Sequence, residues 1–290
     1  MTNAPPSLTL RQRLGNTLFE RVAGANGHEA RKQVHGAVGP RWFPKGAAIR
    51  QVHGDASMWV GGLRALLLQS LHPVAMAGVA GHSGYRGDPW GRLERTSNFL
   101  AFTTFGTAED AQATVDRIRA VHERVRGTTP EGEPYRASDP HLLMWVHIAE
   151  VDSFLAAHAA FGKRPLDAER RDEYLAQTAR VVRELGADDA PTTYDELQAS
   201  LEAYRPELRA TDAAKDTAKF LLEEPPLERA ARGPYRLIAA GAVALLPRWA
   251  QDELEIGGWP TRTFGRAGGA IATRTIRWGL SAALPDYPSA

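Results

Sequence analysis

Residues 138–161, SDPHLLMWVHIAEVDSFLAAHAAF, decide the fold class. Ser138-Asp139-Pro140 is a helix-start signal: a capping side chain, then a proline at the first helical position, where its missing N–H costs nothing. From about His141 to Phe161 runs the longest sustained helical pattern in the chain. His147 sits in the middle of it, with Val151 and Phe154 on its face. His141 lies six residues earlier, roughly 240° away around the helix, so the two do not easily share one metal ion. A single histidine on an apolar helix face is usually a hydrogen-bonded core residue. It is also the form an axial haem ligand takes, because haem needs one imidazole and an apolar slot.

Working outward, the same period recurs on both sides. Residues 8 to about 22 are helix-periodic, and 36–47 form a Gly/Pro-rich loop around Trp42 and Phe43. A helix runs from Met58 or Gly62 toward Leu71, and Pro73 kinks or restarts it. Residues 82–91, HSGYRGDPWG, read as a loop, followed by a helix from Arg92 to about Thr104. The next begins at Ala108, with Glu109 and Asp110 in its first turn, where the helix dipole favours acids. Residues 127–137 read as a loop or short hairpin. Downstream helices are expected over 167–185, 193–204, 212–222, 227–245 and 247–254. The expected class is all-α, a single large multi-helix domain, with an arm over 1–40, a body over 41–255 and a basic/apolar tail over 256–290.

Composition narrows the function. With 35 basic and 34 acidic residues the net charge is +1, without the basic excess of a nucleic-acid binder. No cysteine is present, which excludes a thiolate haem ligand, a cysteine-held iron–sulfur cluster, a Cys-type zinc site, a thiol nucleophile and any disulfide. All nine histidines precede residue 160, so metal or proton chemistry belongs to the first half. Residues 65–81, ALLLQSLHPVAMAGVAG, approach the minimum length of a membrane span, but Gln69, His72 and Pro73 interrupt them. A buried core helix is the expected reading. The start of the chain has no apolar run of signal-peptide length, and an intracellular, cytoplasmic protein is expected. The tail alternates basic and apolar residues, which suits either an anionic membrane surface or a helix packed on the body.

Several catalytic motifs are missing. No histidine has a carboxylate three residues before it, and there is no His-Glu-x-x-His, G-x-S-x-G, P-loop or G-x-G-x-x-G. Four constellations remain. Arg92, Arg95, Thr96 and Phe99 share one helix face, and a guanidinium there can hold a carboxylate or stabilise developing negative charge. His147 is the second. His72, polar inside an apolar helix, and His82, on the Gly-rich stretch, are candidate pocket residues. His122, in VHERVRG, reads as an ordinary helix-end residue.

Three blocks together, LLLQSLHPVAMAGVAGHSGYRGDPWGRLERT, VHERVRG and YRASDPHLLMWVHIAEVDSFL, resemble successive signatures of one family. It comprises the bacterial latex-clearing (rubber) oxygenases and the fungal endoplasmic-reticulum-bound oxygenase of mycophenolic acid biosynthesis. The resemblance spans roughly residues 40–250. It implies globin-like helical packing around a b-type haem held by one proximal histidine, here His147, with His141 and His72 in reserve. The rubber oxygenases carry an Arg-x-x-Lys-Thr motif on the distal side, which matches Arg92, Arg95 and Thr96, with Arg95 in the lysine position. A guanidinium has no lone pair for iron, so an Arg95 facing the metal leaves its sixth position open or water-filled. The rubber enzymes also use a glutamate upstream of this motif. Here no Asp or Glu occurs between Asp55 and Asp88, so the base is absent or replaced by His72 or His82.

The expected function is therefore a haem b-dependent oxygenase using dioxygen on a small apolar or isoprenoid-like substrate other than rubber. His147 would ligate iron, Arg92 and Arg95 would stabilise negative charge or hold a propionate, and Thr96 would donate a hydrogen bond to dioxygen. His72 and His82 would line the cofactor pocket. Two other classes stay open: a non-catalytic helical carrier of an apolar ligand, and a non-haem metal enzyme using some of His72, His82, His141 and His147.

Overall fold

The structure is a computed structural model describing residues 8–24, 26–82 and 87–283. The chain begins with α1 (Leu10–Ala23), α2 (Gly27–Gly36), α3 (Ala48–His53), α4 (Met58–Gln69), α5 (Pro73–His82), α6 (Pro89–Phe105) and α7 (Ala108–His122). An antiparallel hairpin, β1 (Arg126–Thr128) and β2 (Pro134–Arg136), leads into α8 (Pro140–Phe161). Then come α9 (Ala168–Leu185), α10 (Tyr194–Tyr204), a 3-10 turn (Arg205–Glu207), α11 (Asp212–Leu222), α12 (Arg229–Leu245), α13 (Arg248–Glu253) and α14 (Trp259–Ala283). The fold is all-α, as the sequence predicts, and residues 127–137 form the short hairpin.

The helix that decides the class is also its axis. Asp139 caps α8 by accepting from the His141 amide, and Pro140 opens the first turn. The helix is apolar on nearly every side, which only a surrounding shell of helices can accommodate. It packs on α4, where Gly61 lets Phe154 and Ala157 come close: an added Cβ would lie 3.2 Å from the Ala157 Cβ. Trp145, fully buried, donates its indole N–H to the Gln69 carbonyl at 3.1 Å. One ion pair crosses this interface. Arg64 meets Asp152 at 2.7 Å and also reaches Ser153 and the Leu245 carbonyl. The buried charge is tolerated there because it is paired with Asp152 and hydrogen-bonded to Ser153 and the Leu245 carbonyl.

The α4–α5 pair bends by 109° at Ser70–His72. Pro73, lacking an amide hydrogen, cannot extend α4 and instead begins α5. This bend aims His72 away from the α4 axis. Among the described residues, α4 and α5 are the one bent pair whose combined length and apolarity approach a membrane span, and no single described helix is long and apolar enough to cross. On the other side, α14 packs lengthwise on α12 and α1. Its glycines allow backbone contact with α12: a Cβ on Gly241 would fall 2.7 Å from the Gly269 Cα. The described part of the tail, to residue 283, is thus a helix laid on the body.

Local reading passes over α2 and α3 and misplaces the start of α6. The α3 amides of Ala48 and Ile49 are capped by Glu173 and Gln177 of α9, at 3.1 and 2.8 Å, so its start is stabilised from 125 residues away. The α6 helix begins at Pro89, three residues before the expected Arg92, because Asp88 caps it by accepting from the Gly91 amide at 2.9 Å.

Candidate functional site

The structure separates the candidate residues into three places. The first is a solvent-reaching cavity of about 270 Å³ beside the hairpin, lined by His72, Tyr135, Asp139, His141, Glu207 and Arg209 among others. The α4–α5 bend delivers His72, the start of α8 delivers His141, and the 3-10 turn after α10 delivers Glu207. Glu207 Oε2 lies 2.8 Å from His141 Nε2 and 3.3 Å from His72 Nε2. His141 stacks on Tyr204 with ring centroids 4.6 Å apart. His72 is 3% exposed, and burial lowers its pKa against the opposing pull of Glu207. Tyr204 is pushed up to about 12, first by burial and then by Glu207 and Asp139. Each of these three donor atoms lies within 4.8 Å of the others, so the group could hold a metal ion.

The second place is the interior around α8. His147 is buried, and its pKa is lowered to about 4, first by burial and then by Arg183 of α9. Its Nε2 is sealed from solvent without a hydrogen-bond partner. Three residues on, Glu150 accepts a hydrogen bond from Gln69, while burial raises its pKa to about 7 against the pull of Arg92. This carboxyl group went unnoticed in the sequence, where the search for a base ran upstream of Arg92. Its signal was weak but present: an acid on a long apolar helix. Behind it, Tyr174 and Thr104 hold His53 at 3.2 and 2.8 Å, and burial lowers the His53 pKa to about 3.

The third place is the surface turn of α6. Arg95 is exposed and pairs with Asp88 at 3.2 Å, and Thr96 is exposed beside it. Arg92 is partly buried and points its charge toward Glu150. The expected Arg-x-x-Arg-Thr face is therefore split between interior and solvent. His82 ends α5, exposed, with its Nδ1 3.3 Å from the Tyr135 hydroxyl. Residues 83–86 of the HSGYRG stretch lie outside the described residues.

Among the described residues three imidazoles carry a sealed, unpartnered nitrogen: His72 Nε2, His122 Nδ1 and His147 Nε2. Buried polar atoms are nearly always satisfied, so an orphaned imidazole nitrogen points to a group supplied from outside. His122 is the surprise, since its helix-end position suggests plain capping. It is partly buried, and burial lowers its pKa.

The structure is thus an all-α domain in which His72 and His147 are buried with an unpartnered imidazole nitrogen. Residues 50–278 match the family described as ER-bound oxygenase mpaB/B'/Rubber oxygenase, catalytic domain, and the chain belongs to that family. It is thereby placed with the oxygenases, within the oxidoreductases. No curated protein and no solved structure gives a significant match.

Proposed function

We propose that the chain is a haem b-dependent oxygenase acting on a small apolar or isoprenoid-like molecule, with His147 as the iron ligand and dioxygen as co-substrate. The observation that carries this reading is the orphaned Nε2 of His147, buried in the core of an oxygenase-family domain. A pKa of about 4 keeps that imidazole neutral at physiological pH, so its lone pair is available to a metal. In a chain without cysteine, imidazole is the natural protein donor to haem iron.

Haem, when bound, would supply dioxygen binding and electron transfer, and His147 on the apolar helix α8 would hold its iron. Arg92 stabilises negative charge in the interior. Arg95, at the surface and held by Asp88, suits a carboxylate such as a propionate. Thr96 offers a hydroxyl donor on the same turn. With a pKa near 7, Glu150 can accept or release a proton at its carboxyl oxygen near neutral pH, the role that the acid-free stretch before Asp88 leaves vacant. His72 and His82 flank the hairpin side and remain pocket candidates. On the outer face of α14, Phe264, Ile271 and Trp278 recur every seven residues and are exposed, with Arg266 and Arg274 exposed among them. That stripe supports peripheral contact with an anionic bilayer.

The test is the absorption spectrum of freshly purified protein and of its variants. A Soret band present in the natural chain, lost in His147→Ala and kept in His122→Ala is expected. Protein that takes up no haem on reconstitution overturns the haem reading. A band lost in His122→Ala and kept in His147→Ala overturns the ligand assignment.

A further inference from the structure

We infer that His72, His141 and Glu207 form a binding site for one divalent transition-metal ion, distinct from the His147 environment. The donor set is two imidazoles and one carboxylate, the combination that zinc and non-haem iron(II) take while leaving positions open to water or a ligand. The three come from separate parts of the chain, 66 residues apart between His141 and Glu207, yet converge on one carboxylate oxygen.

The hydrogen-bond partners of His141 suit a cation between it and Glu207. Tyr204 donates its hydroxyl proton to the His141 carbonyl at 2.8 Å. Its oxygen then accepts from the His141 Nδ1–H at 3.2 Å. In the tautomer that carries its proton on Nδ1, toward the Tyr204 hydroxyl, His141 turns the Nε2 lone pair to Glu207 Oε2 at 2.8 Å. A contact of this length needs a positive charge between the two atoms, either a proton or a metal ion. This is the arrangement in which an outer-shell group fixes the tautomer of a metal-binding histidine.

His72 supplies the independent sign. It is 97% buried by its 3% exposure, and its Nε2 lies 3.3 Å from Glu207 without a properly directed hydrogen bond. Its other nitrogen accepts only a long 3.4 Å contact from the Ala75 amide, which coordination through Nε2 would give up. Metal–nitrogen bonds of about 2.1 Å in a tetrahedral site put donors about 3.4 Å apart. The Glu207–His72 spacing already matches, and the Glu207–His141 contact has to open slightly. Glu133 and Asp139 line the same cavity and, with Glu207, outnumber Arg209, so the field favours a cation. The ion would clasp the start of α5, the start of α8 and the 3-10 turn, with the cavity open to water.

The experiment uses the full chain, dialysed against chelator and titrated with Co²⁺, whose visible absorption reports nitrogen–oxygen coordination, and then with competing Zn²⁺. One equivalent should bind. His141→Ala and Glu207→Gln should each weaken it at least tenfold; both side chains are about half exposed, at 53% and 43%, so the fold survives, and circular dichroism checks that. His147→Ala should bind Co²⁺ as the natural chain does while its Soret band is lost, which separates this site from the haem reading. No stoichiometric binding, meaning that the three groups form only a His–Glu hydrogen-bonded cluster, overturns the proposal. So does binding undiminished in both variants.

Discussion

Glu150→Gln is the most informative single change in the interior. Burial raises the carboxyl pKa from 4.5 to about 7, with the Gln69 hydrogen bond and Arg92 pulling the other way. Between those two values the folded chain holds more protons than the unfolded one, so this residue's contribution to stability falls as pH rises through the window. Above about pH 7 the folded protein carries the full penalty of a buried carboxylate. At about 1.4 kcal/mol per tenfold change in proton affinity the displacement is worth roughly 3 kcal/mol. Partial exposure of the residue reduces that to about 2 kcal/mol. Glutamine keeps the shape and accepts from Gln69 but never ionises. Urea unfolding at pH 5 and pH 8 measures the difference. The variant should exceed the natural chain by only about 0.5 kcal/mol at pH 5 and by about 2 kcal/mol at pH 8, with an unchanged denaturant slope. An equal effect at both pH values, or a loss at pH 8, would refute the reasoning. If Glu150 also moves a proton in turnover, the same variant is more stable and less active.

Arg64→Met strands Asp152 in the interior, where the pair meets at 2.7 Å; a loss of about 3–5 kcal/mol is expected in denaturant melts, largely recovered by adding Asp152→Leu. Gly241→Ala drives a methyl to within 2.7 Å of the Gly269 backbone and should cost about 1–3 kcal/mol or more. Gly62→Ala, with nothing within 4 Å of the new carbon, should stabilise α4 by roughly 0.5–1 kcal/mol. Both are read by thermal melting, and equal effects would contradict the close-approach account. The natural chain should co-sediment with phosphatidylserine vesicles at low salt, and Phe264→Ser with Ile271→Ser should abolish this. Absence of vesicle binding by the natural chain removes the membrane contact.

The fold was legible wherever a helix is specified by its own residues. The run from His141 to Phe161 carries its period, its Asp-Pro start and its glycine end in one continuous stretch. The Asp88-Pro89 start uses the same signal, but three glycines around it made the segment read as loop. Where the specification is remote, local reading fails. Helix α3 is six residues long and takes its N-terminal hydrogen bonds from α9. An isolated helix of that length does not form in water, so nothing in its own sequence could announce it.

The site shows the same division more sharply. Periodicity places His141 and His147 on different faces of one helix, and the structure keeps them in different environments, one exposed and one buried. Periodicity also puts Arg92, Arg95 and Thr96 on one face, yet α6 turns Arg92 inward while Arg95 and Thr96 reach solvent. A helical wheel gives angles between residues of one helix and carries no information on what covers each face. The convergence of Glu207 with His72 and His141 lies further still from local reading. It depends on a proline bend after α4 and a 3-10 turn after α10, which bring residues 72, 141 and 207 to one point. The helix that announces itself most clearly therefore supplies residues to two environments, His141 at its mouth and His147 and Glu150 in its interior. The start and the middle of α8 are joined by a rigid stretch of helix about 9 Å long between His141 and His147, which would carry any coupling between the two places.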